Sequence, residues 1–374
     1  MYKQNEYLRE NAAMTVGQTF RIDLPKTGHL SSLYLKFGGT CVSGATATAD
    51  PWRLQDHLGL IEVIANGATV IKSYSFKEAQ FLCWLRQGIV PPHFWRNYAA
   101  NTQEEHLMVL FGREHGDPDY GLDLSRYNSV ELRITNSASA TYYTGDLTVS
   151  IMQTFLRDHA AGFRGYLRTE EWRNWTSVSD QTDYYVLPTE YPIAGLYLRS
   201  LPEVSAGVAE TGWYNQMDDI DFSVKGGVER VYKGGLDDLS VLNWLERGAE
   251  VITGGQLYKT ADYGADLSVG RPFNVATGSG SKDGAVSAVI PTIEADLTIN
   301  TIKPEAYEAD APIYFMARGL GYQCMAWLWH NHNLDADRLL DPGTYGEMRL
   351  NTHTRSGAGY AGGTLQIVLE RLVV

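Results

Sequence analysis

The segment Phe20-Arg21-Ile22-Asp23-Leu24-Pro25-Lys26-Thr27-Gly28-His29-Leu30-Ser31-Ser32-Leu33-Tyr34-Leu35-Lys36-Phe37 sets the frame for the whole chain. Phe20, Ile22 and Leu24 alternate with Arg21 and Asp23; after a break from Pro25 to Gly28, Leu33, Leu35 and Phe37 alternate with Tyr34 and Lys36. A period of two is what a half-buried strand requires, because successive side chains point to opposite faces of a sheet. Outward from this pair, residues 60–64, 70–73, 106–111, 130–134 and 147–155 are further strand candidates. Asn66-Gly67 between two of them is a tight hairpin signal, since both residues tolerate positive φ. Helical periodicity is scarce. Its clear instance is Phe76–Gln87, with Ser75 and Glu78 spaced as a capping box and Gly88 placed as the stop.

The second half repeats the first. Leu24-Pro25 and Leu33-Tyr34-Leu35-Lys36 reappear as Leu187-Pro188 and Leu196-Tyr197-Leu198-Arg199, an offset of 163 (24 to 187). Gly67, Leu82, Trp84, Leu85 and Gly88 match Gly227, Leu242, Trp244, Leu245 and Gly248 at an offset of 160 (84 to 244). The second helix carries Asp237 and Asp238 in its first turn, where the helix dipole favours acids. A third block aligns at 218 (122 to 340): Leu122, Asp123, Tyr127, Leu132, Gly145, Leu147, Val149 and Ile151 match Leu340, Asp341, Tyr345, Leu350, Gly363, Leu365, Ile367 and Leu369. The growth in offset places about 58 extra residues in the second copy, within a stretch rich in small residues. The join between the copies is expected from Arg157 to Asp180, a polar segment with Trp172 and Trp175. Trp84 and Trp244 recur on the two helices and are both expected in the core.

Composition narrows the function. The chain has 374 residues and a formal net charge of −13, which disfavours a protein that coats nucleic acid through phosphate contacts. A hydrophobic share of 44% is that of a folded protein with a full core. No apolar run approaches the roughly 20 residues of a membrane span, and residues 1–15 are too polar for a secretory signal. Cys41, Cys83 and Cys324, an odd number in no CxxC spacing, fit synthesis in a reducing cytoplasm.

The fold class that follows is all-β, as two tandem jelly-roll sandwiches, each with a short helix. The segment Phe20 to Phe37 resembles the opening strands of double-jelly-roll major capsid proteins of the tectivirus and adenovirus lineage, the type found in tailless phages with an internal membrane. The duplicated architecture extends that resemblance over the whole chain. It implies a homotrimer of pseudo-hexagonal outline tiling an icosahedral shell in the virion. Its partners would be neighbouring capsomers, penton and minor capsid proteins, with an internal membrane as a candidate on the inner side and no sequence-specific nucleic-acid contact. It carries over no catalytic residues, no cofactor and no metal. The expected division is residues 1–165 for the first jelly roll and 166–374 for the second, with an inserted decoration at about 252–312. Apolar clusters at 286–290 and 297–302 mark that insert as a minor β-structure, expected as a tower at the outer end of the shell.

Other motifs carry weaker chemistry. Gly357-Ala358-Gly359-Tyr360-Ala361-Gly362 fits a dinucleotide fingerprint but precedes an alternating strand rather than a helix. The stretch 278–282 lacks the ending of a phosphate loop. His330 and His332 would share one strand face and could hold a metal, as in bicupin-like enzymes, yet no Glu follows within ten residues. Asp219 and Asp221 also share a face, read as a solvated acidic surface. Asp117, Asp119 and Asp123 miss the spacing of a calcium loop. Asn174-Trp175-Thr176 is a formal glycosylation site that matters only on a secreted chain. Two rivals to the capsid reading remain: a tandem carbohydrate- or receptor-binding sandwich of spike type, and, with less support, a bicupin-like metalloenzyme.

Overall fold

Alternation along strand β3 (His29–Thr40) buries Leu33, Leu35 and Phe37 and turns Tyr34 and Lys36 outward. The computed structural model describes residues 1–42, 53–94, 102–140, 142–201, 216–247, 251–258, 267–268, 275–282, 298–299, 312–320, 322–357 and 360–374. Around β3 lie β1 (Tyr2–Met14), β2 (Thr19–Asp23), β4 (Leu58–Ala65), β5 (Thr69–Ser75), β6 (Thr102–Leu110), β7 (Val130–Asn136) and β8 (Leu147–Arg157). Helix α1 (Phe76–Gln87) follows β5. The second set is β9 (Tyr166–Thr176), β10 (Thr182–Val186), β11 (Ile193–Leu201), β12 (Met217–Val224), β13 (Glu229–Gly234), β14 (Met325–His330), β15 (Arg349–Thr354) and β16 (Thr364–Val373), with α2 (Leu236–Arg247) after β13.

Strand order repeats between the sets. β1-β8-β3-β6 and β2-β7-β4-β5 form the two sheets of the first jelly roll; β9-β16-β11-β14 and β10-β15-β12-β13 form those of the second. Leu35, Phe37, Val63 and Leu132 belong to one core cluster, and Leu198, Phe222, Leu350 and Ile367 to another. β4 and β12 share an identical sequence of buried and half-buried positions, so Val63 corresponds to Phe222. The final strand departs from the sequence alignment. Leu35 faces Ile151 and its counterpart Leu198 faces Ile367, an offset of 216 (151 to 367) rather than 218. The shift is a step of two, which keeps the same side chains inward, and the loop before β16 takes it up.

Two polar segments, one at residues 1–15 and one in the expected join, form strands. β1 is an edge strand paired along β8 from Tyr2–Arg157 to Met14–Leu147. β9, inside the expected join, pairs with β16 along its length. It also meets β5 in a short parallel contact, Lys72 beside Thr169 and Ser73 beside Glu170, which fuses sheets of the two sandwiches edge to edge. In the inserted region, Val251–Tyr258 and Val275–Lys282 flank Pro312–Leu320 in a three-stranded sheet, with Val251 opposite Gly319. The apolar cluster at 286–290 lies outside the described residues, as does that at 297–302 apart from Thr298-Ile299, which pairs with Leu267-Ser268.

Candidate functional site

Helix α1 is built by the signals that its sequence carries. The Ser75 and Glu78 side chains cap it reciprocally, and Gly88 ends it at φ 71°, a left-handed conformation that costs a residue with a Cβ. One side of the helix meets β4, β5 and β6; another seats on the outer face of the second sandwich. There the Phe81 ring lies 5.7 Å from Tyr197, and the Trp84 ring 6.1 Å from Tyr322 and 6.4 Å from Trp327.

Polar groups pin this seat at both ends. Arg86 donates to Glu370 Oε1 at 2.5 Å and to the carbonyls of Asn331 (3.3 Å) and His332 (3.0 Å). The Tyr197 hydroxyl donates to Glu370 Oε2 at 3.2 Å. Lys72, buried beside them, donates to Thr169 Oγ1 at 2.8 Å; burial lowers its pKa to about 7 against the pull of Glu370. At the other end Gln323 Nε2 donates to Gln80 Oε1 at 2.7 Å, and Arg199 donates to Gln366 Oε1 at 3.0 Å and Ser75 Oγ at 3.4 Å. Burial raises Glu78 to about 7, with Arg199 opposing. Sequence reasoning missed this network. Its partners lie up to 284 residues apart and leave no local signal.

His330 belongs to the same junction. Its Nδ1 is 3.1 Å from the Tyr197 hydroxyl, its Nε2 is buried without a hydrogen-bond partner among the described residues, and its ring centroid is 6.0 Å from that of His332. Burial, then the charges of Arg86 and Arg247, hold its pKa well below the usual histidine value. Below about pH 6.5 the unfolded chain therefore takes up a proton that the folded chain refuses, and stability falls on acidification. His330→Gln should flatten this slope. Between pH 7 and 5, denaturant melts of wild type should lose more stability than those of the variant, the difference approaching about 1.4 kcal/mol per pH unit below 6.5. Parallel curves would mean that His330 protonates freely in the fold.

The other candidates are occupied by neighbouring side chains. Asp221 takes Arg230 at 2.9 Å and Asp219 takes Lys233 at 3.4 Å. Asp117 is buried and accepts from Arg113 Nη2 at 2.6 Å and from the Arg113, Asp119 and Tyr120 amides, while Asp123 accepts from the Ser125 amide. Among the described residues, no three His, Cys, Asp or Glu side chains gather as a metal site needs. Gly357 to Gly362 lies in the connection from β15 to β16 and so precedes a strand, and 278–282 lies in a strand. Trp175 of the formal glycosylation site donates to Asp183 at 3.0 Å. The cysteines are buried.

Trp244 overturns the expectation that both helix tryptophans are core. Phe81, Leu82, Trp84 and Leu85 of α1 are 0, 8, 5 and 0% exposed, whereas Val241, Leu242, Trp244 and Leu245 of α2 are 41, 45, 39 and 64% exposed. All four positions are apolar in both helices; the difference is that the second sandwich covers α1, whereas among the described residues no second sandwich covers α2.

No family model matches the sequence, and no curated protein matches it either. Solved structures do. The capsid protein of STIV (the STIV MCP) is similar over 100% of this chain and 97% of its own, at TM-score 0.58 and 11% identity. The atomic structure of Sulfolobus Turreted Icosahedral Virus contains a chain similar over 98% of this one and 90% of its own, at TM-score 0.52 and 12% identity. The PBCV-1 virus capsid contains one similar over 99% and 93%, at TM-score 0.52 and 11% identity. With its repeated strand order and a matching helix beside each sandwich, the chain has the double-jelly-roll fold of viral major capsid proteins.

Proposed function

We propose that this chain is a capsid subunit that forms homotrimers of pseudo-hexagonal outline and tiles an icosahedral shell. The observation that carries the reading is the duplicated sandwich, sheet order for sheet order, combined with full-length similarity to capsid chains. Two sandwiches per chain give a trimer six similar sides, which a hexagonal lattice can use. The division that suits this is residues 1–165 and 166–374. The mechanism is association rather than chemistry: apolar surface is buried between subunits, while a net charge of −13 keeps free subunits apart in solution. Neighbouring capsomers, penton and minor capsid proteins would be the partners, with a membrane on the inner side as a candidate neighbour. Light scattering on purified protein and micrographs of the native source test the reading. Trimers and particles support it; a monomer at every concentration would favour a binding module, and one stoichiometric metal per chain an enzyme.

The insert fits this reading as a tower at the outer end of the second sandwich. Deleting residues 255–308 and closing the gap with a short Gly-Ser linker should leave the trimer intact by size-exclusion chromatography, because Val251 to Gly254 keep their partners Gly319 to Met316. Loss of the trimer would place the insert in the subunit interface instead.

A further inference from the structure

Helices α1 and α2 hold the same position beside their own sandwiches. Cys83 lies against the Met108 backbone on β6, and its counterpart Asn243 donates to the Trp327 carbonyl on β14 at 2.9 Å and accepts from the Trp327 amide at 2.8 Å. Within the chain, α1 covers a row of side chains that runs across the second sandwich. Tyr197 faces Val368 on one side and Trp327 on the other. The corresponding row on the first sandwich is Met152–Tyr34–Met108, continued onto β1 by Tyr7 opposite Met152. Tyr34, Met108 and Met152 are only half-buried, and Tyr7 is exposed.

We propose that α2 and the free edge of β13 in one copy dock on the Tyr7–Met152–Tyr34–Met108 row and the free edge of β1 in a second copy, repeating between chains the junction that α1 and β5 make within one. The proposal rests on the self-assembling reading above and names the surfaces that it uses. Three observations select a second copy as the occupant. Each of the four apolar positions on α2 has a buried counterpart on α1, so the seat that fits them is one shaped like the outer face of a sandwich. The first turns match in charge: Asp238 stands where Glu78 stands and Lys36 where Arg199 stands, so the acid of α2 would meet a base. The strand edges match as well. Lys72–Thr169 and Ser73–Glu170 pair in parallel within the chain; by register their counterparts are Tyr232 and Lys233 on β13 and Asn5 and Glu6 on β1. Both of these strands end their sheets among the described residues.

Such a contact is head-to-tail, since one patch of each copy meets a different patch of the next, and it gives a ring when the rotation closes. The ion pair of the internal junction is not repeated. Glu246 and Thr154 occupy the places of Arg86 and Glu370, so the seat between copies lacks that ion pair and depends more on its apolar contacts.

The test uses the full chain. Combined Trp244→Asp and Leu245→Asp should convert the wild-type trimer into monomers by light scattering, with the circular dichroism spectrum retained. Independently, Tyr34→Cys with Val241→Cys, the counterparts of Tyr197 and Phe81, should give covalent dimers and trimers with a short bis-maleimide reagent. Either single cysteine variant should give none. The cysteine pair introduces no charge into the seat, so it reads the contact even where the aspartates impair folding. A trimer that survives the aspartates and yields no covalent product would overturn these surfaces and leave the capsid reading standing. A wild-type chain that stays monomeric would overturn both.

Discussion

Trp84→Ala should destabilise the chain by about 3–5 kcal/mol, measured by denaturant unfolding followed by circular dichroism. Trp84 is 5% exposed and its ring touches Phe81, Tyr322 and Trp327, so truncation leaves a cavity bounded by both sandwiches. Trp327 is held by β14 and limits how far the site can collapse, which keeps the cost within the range for a large buried side chain. Trp244→Ala, the matching change on α2, should cost roughly 1–2 kcal/mol in the dissociated chain, because much of that side chain is already in water. Equal costs for the two would mean that the helices are equally covered in the free subunit.

Glu370→Ala should cost a similar 3–5 kcal/mol for a different reason. Arg86 and Glu370 are almost wholly buried, and removing the carboxylate leaves the guanidinium, among the described residues, with the two backbone carbonyls of Asn331 and His332. Lys72 loses the one carboxylate that opposes its desolvation, and the Tyr197 hydroxyl loses an acceptor. Glu370→Gln keeps one acceptor oxygen for Arg86 and offers an NH2 from which the Tyr197 hydroxyl can accept, and should be milder than the alanine. Adding Arg86→Met to Glu370→Ala should recover part of the loss, since the uncompensated buried charge goes with it. If the double variant is worse than Glu370→Ala by the full cost of Arg86→Met alone, the two side chains act independently and the buried pair is not what holds the junction.

The elements that short-range chemistry specifies were legible. The capping box at Ser75 and Glu78 and the stop at Gly88 gave the bounds of α1 residue for residue. Inner strands such as β4 and β7 carry enough apolar alternation to be read directly, with ends misplaced by one or two residues. β1 and β9 were not read as strands, because an edge strand, or one with a half-exposed face, needs little apolar alternation and is defined by its hydrogen-bonding neighbour. Trp244 shows the limit for burial. α1 and α2 present the same apolar spacing, and only the tertiary arrangement decides which of them finds a cover inside the chain. The Arg86–Glu370 network was invisible for the same reason: each residue alone reads as an ordinary surface charge.

The inserted region leaves and re-enters the framework at one place, where Val251 lies opposite Gly319. A segment with adjoining ends behaves as an exchangeable cassette. Its length can grow or shrink at an entropic cost that rises only logarithmically, about 0.6 kcal/mol for each doubling, and neither β14 nor α2 has to move. Sequence exchanged at that hinge pair therefore leaves both sandwich cores as they are, and a foreign peptide inserted there is carried by the same route.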